Sequence, residues 1–141
     1  MKTFYMLVGL PGTGKSTWVS NYVKNSGSKV QIISTDDIIE SIAEKHSFTY
    51  NDIFGDITYS FAEKMMYKIA NITFKKDLHN VVIWDQTNLT TGTRSKKLRL
   101  VPPEYYRIAV YFGIPNNWEE RLNRPGKTIP SHVIEIGRAH V

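Results

Sequence analysis

An apolar run, Thr3 to Gly9, passes without a break into Gly9-Leu10-Pro11-Gly12-Thr13-Gly14-Lys15-Ser16, and that octet opens a stretch, Lys15 to Lys24, with Trp18, Val19, Tyr22 and Val23 on one helical face. A buried strand that ends in glycines and feeds a helix leaves few folds open. The spacing is G-x-x-x-x-G-K-[ST], a phosphate-binding loop when strand and helix flank it in this order. Its glycines let successive backbone N–H groups converge on an anion with no Cβ in the way, and the helix N-terminus adds a favourable field. Lys15 is expected to reach the β- and γ-phosphates of a nucleotide and the Ser16 hydroxyl to ligate Mg²⁺. Gly9, Pro11, Gly12, Thr13, Gly14 and Thr17 complete the expected nucleotide-binding set.

The rest of the chain repeats the alternation. Val30–Ser34, Val81–Trp84 and Tyr106–Phe112 read as strands. Asp37–Glu44, Asp56–Phe74, Thr90–Leu100 and Asn116–Leu122 read as helices, with Ile57, Phe61, Met65, Ile69 and Ile72 as the expected core stripe of the long one. Strands alternating with helices imply right-handed crossovers and a parallel sheet covered on both faces. In such sheets ligands lie beyond the carboxyl ends of the strands. No internal repeat or low-complexity tract interrupts the pattern, and Asn25-Ser26-Gly27-Ser28 is a turn rather than a linker.

Composition narrows the function classes. The 141 residues, 41% apolar and 22% charged, suit one globular domain. The absence of cysteine excludes a disulfide scaffold, a thiolate metal site and a cysteine nucleophile. No apolar run approaches the ~20 residues that span a bilayer, so no membrane partner is expected. The net charge of +5 suits an anionic partner. His46, His79 and His132 lack metal-ligand spacing, and Tyr50, Phe54, Tyr105 and Tyr106 are expected to pack rather than to stack on bases.

The strand ends carry the remaining chemistry. The second strand runs into Ser34-Thr35-Asp36-Asp37, where Asp36 can take a proton from an attacking hydroxyl and Asp37 can cap or orient. The third runs into Asp85, which can orient Mg²⁺ or hold the acceptor; Gln86-Thr87-Asn88-Leu89 follows as a polar loop. Arg94, Lys96, Lys97 and Arg99 form a basic helix that can track a phosphodiester backbone or be a solvated face; Arg94 and Lys97, three apart, share a side and are the expected phosphate contacts. Glu119 to Thr128 ends a helix in a Pro/Gly loop, where arginines can close over phosphates or serve only as helix C-terminal cations.

Four blocks in order, GLPGTGKSTW, STDDIIESI, VVIWDQTNL and ERLNRPGKTIPSHVI, resemble the P-loop kinase domain of phage-type polynucleotide 5′-hydroxyl kinases, within a larger AAA-type ATP-binding family. The resemblance spans Lys2 to about Ile134. It implies an α/β P-loop NTPase fold, a three-layer sandwich with a parallel sheet of order 2-3-1-4 and a further strand after the lid. It implies an ATP- and Mg²⁺-dependent phosphotransferase with Lys15, Asp36, Asp85 and Arg124 as catalytic residues, Asp36 being the general base, Arg124 the lid arginine and Arg121 the second choice. Asp37, Thr87, Asn88, Arg94 and Lys97 are, from the residues themselves, the expected acceptor contacts; the expected partner is a DNA or RNA 5′ end, in a cytoplasmic setting in a bacterium or phage-infected cell. Two departures are visible. Ile39 stands where the phage enzymes carry an arginine, and Gln86 before Thr87-Asn88 is shared with the broader family. A small-molecule kinase and a nucleotide-binding module without phosphotransfer are the alternatives.

The tail Ile136-Gly137-Arg138-Ala139-His140-Val141 is the in-frame translation of ATC GGA AGA GCA CAC GTC, a common sequencing-adapter sequence. The domain is therefore expected to run from 1 to 135, with 136–141 non-native and the C-terminal part truncated; His140 receives no role.

Overall fold

Alternation of side chains along two central strands decides the layering. A computed structural model of the chain describes residues 1–46, 57–124 and 127–128. Strand β1 (Lys2–Val8) sends Phe4, Met6 and Val8 to one face of the sheet and Tyr5 and Leu7 to the other. Strand β3 (Val81–Trp84) does the same with Val82 and Trp84 against Val81 and Ile83. All four β3 residues are buried, as a strand covered on both faces must be. Strands β2 (Val30–Ile33) and β4 (Tyr105–Tyr111) complete a parallel sheet of order β2-β3-β1-β4, the order the resemblance implies.

Helix α1 (Lys15–Asn25) packs Val19, Trp18 and Tyr22 onto the Leu7 face, where Trp18 stacks on Tyr22 with ring centroids 5.3 Å apart. Helices α2 (Thr35–His46) and α3 (Ile57–Lys76) cover the opposite face. There Met66, Ala70 and Phe74 meet Phe4, Val82 and Trp84, and the Trp84 indole N–H donates to Met66 Sδ at 3.3 Å. Helix α4 (Thr91–Leu98) follows β3, α5 (Trp118–Leu122) follows β4, and a short antiparallel hairpin, β5 (Asn123–Arg124) with β6 (Lys127–Thr128), ends the described chain.

The stripe expected on α3 is displaced. Phe61 and Ile72 are exposed, and Met65 and Ile69 are only half-buried; the Ile57 side chain lies outside the described residues. The buried face is Ala62, Met66, Ala70, Thr73 and Phe74. Both faces carry apolar residues, and the buried one sets Ala62 and Ala70 beside Met66 and Phe74, the alanines allowing close approach. Helix α2 begins two residues earlier than the pattern suggests, at Thr35, and Ile39 is fully buried against Ala62. The Asp56 start expected for the long helix, Tyr50 and Phe54 lie outside the described residues, whereas Tyr105 is buried beside Phe74 and Tyr106 is exposed.

Candidate functional site

The carboxyl ends of β1, β2 and β3 converge on one edge of the sheet. After β1 the chain cannot use ordinary residues. A Cβ on Gly9 would lie 2.8 Å from Phe112 Cβ, and Gly14, the N-cap of α1, holds φ +102°. Only glycine fits such a close approach and such a dihedral without strain. Thr13 is buried, its hydroxyl donating to the Leu10 carbonyl at 2.7 Å, which closes the loop upon itself. Lys15 Nζ lies over the loop and donates to the carbonyls of Gly9 and Leu10 at 2.8 and 2.7 Å. Ser16 and Thr17 are exposed at the first turn of α1.

The loop is braced from behind by residues the sequence did not mark. The Trp118 indole N–H donates to the Pro11 carbonyl at 2.6 Å, and Trp118 and Leu122 bury Leu10 together with Leu89. Helix α5 is thus anchored on the loop, and the chain leaves it directly into β5, which carries Arg124. The Arg121 and Arg124 side chains lie outside the described residues.

After β2, the Ser34 hydroxyl accepts from the Asp37 N–H at 3.4 Å. Ser34 is therefore the cap of α2, correcting the expectation that Asp37 supplies it. Asp36 and Asp37 both occupy the first turn, where carboxylates suit the helix dipole. They part from there. Asp37 borders an apolar cleft between β2, α2 and α3, lined by Ile38, Ile42, Phe61 and Met65. Asp36 faces Tyr59 of α3: burial first, and then the Asp36 and Glu63 carboxylates, push the Tyr59 phenol above its ordinary value, against a hydrogen bond with Thr35 that lowers it.

After β3 lies a cavity of about 400 Å³, walled by Tyr59, Glu63 and Tyr67 of α3 and by Thr93 and Lys96 of α4, with Gln86 to Thr90 along its floor. Asp85 is half-buried at its edge of the sheet, its N–H donating to the Ile33 carbonyl at 2.8 Å. The Thr87 carbonyl accepts from the Gly9 N–H at 3.0 Å, joining this loop to the phosphate-binding loop. The Thr90 hydroxyl caps α4, accepting from the Thr93 N–H at 3.2 Å.

Three expected acceptor contacts are hydrogen-bonded into the protein. Asn88, at φ +49°, is buried, and its amide donates to the Leu7 carbonyl at 2.7 Å. The Arg94 guanidinium donates to the carbonyls of Asn88 and Leu89 at 2.9 and 2.8 Å. Lys97 is 1% exposed; its ammonium donates to Gln86 Oε1 and Asn88 Oδ1 and lies 4.9 Å from the Trp84 ring centroid. Of the cations expected to contact phosphate from this helix, Lys97 lines the cavity with its ammonium committed to Gln86 and Asn88, whereas Lys96 is exposed there and sits 4.3 Å over the Tyr67 ring. The physical reason is local: the polar loop after β3 has carbonyls that need donors, and α4 supplies them.

Among the described residues no group of three or more His, Asp or Glu residues could hold a metal ion. Among the described residues no helix is long and apolar enough to cross a membrane.

A glycine loop between a central parallel strand and a helix, in a sheet of order 2-3-1-4, is the arrangement of a P-loop fold, whose loop is shaped to hold phosphate. The chain belongs to the AAA domain family AAA_33, whose model matches residues 4–135. It is similar in fold to a chain of the Pnkp1/Rnl/Hen1 complex, with a TM-score of 0.64 and 19% identity over 88% of this chain. It spans 40% of the length of that neighbour. It is also similar to shikimate kinase from Bacteroides thetaiotaomicron (TM-score 0.56, 18% identity, 97% of this chain and 77% of that one). A gluconokinase from Sinorhizobium meliloti 1021 is similar to the same degree (TM-score 0.55, 15% identity, 99% of this chain and 74% of that one).

Proposed function

We propose that this chain transfers the γ-phosphoryl group of Mg²⁺-bound ATP to the 5′-hydroxyl end of DNA or RNA. Lys15 leaves two neutral carbonyls for the more strongly attracting phosphate oxygens, and the Ser16 hydroxyl ligates Mg²⁺. Asp36 takes the proton of the attacking hydroxyl, Asp85 holds the acceptor side, and Arg124 closes from the hairpin after α5. The observation that carries the reading is the cavity beside the phosphate-binding loop, with the tyrosines of α3 on its wall and Lys96 above Tyr67. At about 400 Å³ it suits a single nucleoside rather than a longer stretch, so the acceptor would enter by its end. Aromatic walls and the exposed Lys96 suit a terminal base and its first phosphate.

A second reading, phosphotransfer to a small hydroxyl compound, is favoured by the inward hydrogen bonds of Arg94 and Lys97, which take two cations from the acceptor side. The names of the shikimate kinase and gluconokinase neighbours agree with it. Transfer of label from γ-labelled ATP to a panel of 5′-hydroxyl DNA and RNA oligonucleotides and small hydroxyl compounds separates the readings. Labelled oligonucleotide is the expected result. Label confined to small compounds overturns the nucleic-acid acceptor, and label on no acceptor overturns phosphotransfer.

A further inference from the structure

A lysine with 1% exposure sits at the centre of a buried polar cluster that joins three strand ends. One branch runs from Lys97 Nζ to Gln86 Oε1, and from Gln86 Nε2 to the Thr35 hydroxyl at 2.9 Å, the residue immediately before Asp36. The other runs from Lys97 Nζ to Asn88 Oδ1, and from Asn88 Nδ2 to the Leu7 carbonyl at 2.7 Å, two residues before Gly9. Each amide is fixed in one orientation by this arrangement. With its oxygen committed to an ammonium that can only donate, its nitrogen must face the acceptor opposite.

We propose that Lys97 is a positioning residue that sets the distance and orientation of the start of α2 relative to the phosphate-binding loop, acting through the side-chain amides of Gln86 and Asn88. The proposal rests on the phosphotransfer reading, in which Asp36 and the loop must face one another across the transferred group. It also accounts for a buried cation whose ammonium donates to the side-chain oxygens of Gln86 and Asn88, an arrangement that hydrophobic replacement would otherwise improve.

Charge is not essential to the lock. Burial pushes the Lys97 ammonium down to about 7; Glu63 of α3 opposes that shift and Lys96 of α4 adds to it. A neutral amine still has two N–H donors for the two amide oxygens. The cluster therefore persists in either protonation state, and what matters is the donors.

Lys97→Met keeps the length and much of the volume of the side chain and removes the donors. Gln86→Leu cuts the branch to Thr35 and leaves the branch to Asn88. In the 141-residue chain, each is expected to lower kcat about 10- to 100-fold, with the acceptor of the labelling panel and little change in ATP KM, as misplacement of reacting groups does. The double variant is expected to be no slower than the slower single one, because both cut the same connection. Independent full losses would overturn the link through Gln86, and full activity of either single variant would overturn the proposal.

A second readout needs no acceptor. In ¹⁵N NMR spectra, Lys97→Met is expected to shift the side-chain amide resonances of Gln86 and Asn88, and those of Gln31, on the edge strand β2, are expected to stay in place. Unmoved Gln86 and Asn88 resonances would overturn the proposal even if the labelling panel showed no transfer. Shifted resonances without transfer would uphold the amide lock and overturn only the phosphotransfer reading. If Lys97→Met does not fold, Gln86→Leu carries both tests, with Asn88 and the Thr35 backbone amide as reporters.

Discussion

The ends of β1 and β3 lie side by side on the same sheet edge, yet they build their surfaces from different material. After β1 the surface is backbone: glycines at positions 9 and 14, a helix N-terminus, and one lysine folded over carbonyls. After β3 it is side chain: Gln86, Asn88, Arg94 and Lys97, each meeting a partner in another segment. A backbone site is announced by the residues it forbids, because only glycine tolerates φ near +100° or a neighbour at Cβ distance. A side-chain site depends on which way each residue turns, and that is decided by tertiary partners.

The largest expected effect tests whether the two ends work as a pair. Asp36→Asn keeps the shape of the α2 first turn and removes the proposed base. Turnover should fall by about 10²–10⁴ while ATP affinity holds. A lower melting temperature with normal turnover would show that Asp36 serves only the helix terminus. Lys15→Ala tests the β1 side alone. Loss of its transition-state contact should lower phosphotransfer by about 10²–10³ with an unchanged thermal midpoint. Turnover within a few-fold of the unaltered chain would remove Lys15 from the phosphate site.

This contrast also explains what the sequence could and could not disclose. Strand order 2-3-1-4 followed from the resemblance, and β3 was legible as the continuous apolar run VVIW. The fold of the loop was legible because its glycines have one physical use. Lys97 was misjudged as a surface phosphate contact because lysine is rarely buried, and the signal against it, a Gln and an Asn in the loop eleven and nine residues earlier, is visible only when α4 folds back. Trp118 gave no local sign of its hydrogen bond to Pro11, 107 residues away. Ile39, read as a missing arginine at the acceptor, faces Ala62 in the core between α2 and α3.

The misread stripe of α3 gives the next prediction, smaller because it concerns stability rather than chemistry. Met66 is 1% exposed and touches Trp84, whereas Phe61 is 56% exposed. Met66→Ala should cost about 2–5 kcal/mol in denaturant unfolding. Phe61→Ala, expected from periodicity to be the worse change, should stay within about 0.5 kcal/mol. Reversed magnitudes would mean that α3 packs by the Phe61 face and that the wall bearing Tyr59 and Tyr67 is rotated.

The smallest effect decides how much charge the β3 side retains for a polynucleotide. Arg94 and Lys97 share a side of α4, as their spacing requires, but that side faces the loop. Lys96 points to the cavity instead, steadied over Tyr67. One phosphate contact rather than two is therefore expected from this helix. Each contributes a slope of roughly −0.7 in log K against log salt for a single strand, so Lys96→Ala should flatten the salt dependence of oligonucleotide binding by about that amount. Arg94→Ala should leave the slope unchanged while loosening the loop it holds. Binding titrations across a range of salt concentrations distinguish the two. An unaltered slope in Lys96→Ala would show that α4 carries no phosphate contact, and the acceptor side would then favour a small hydroxyl compound. A slope flattened by Arg94→Ala would mean that the guanidinium leaves its carbonyls for the strand, and that the β3 side rearranges on binding where the β1 side is already built.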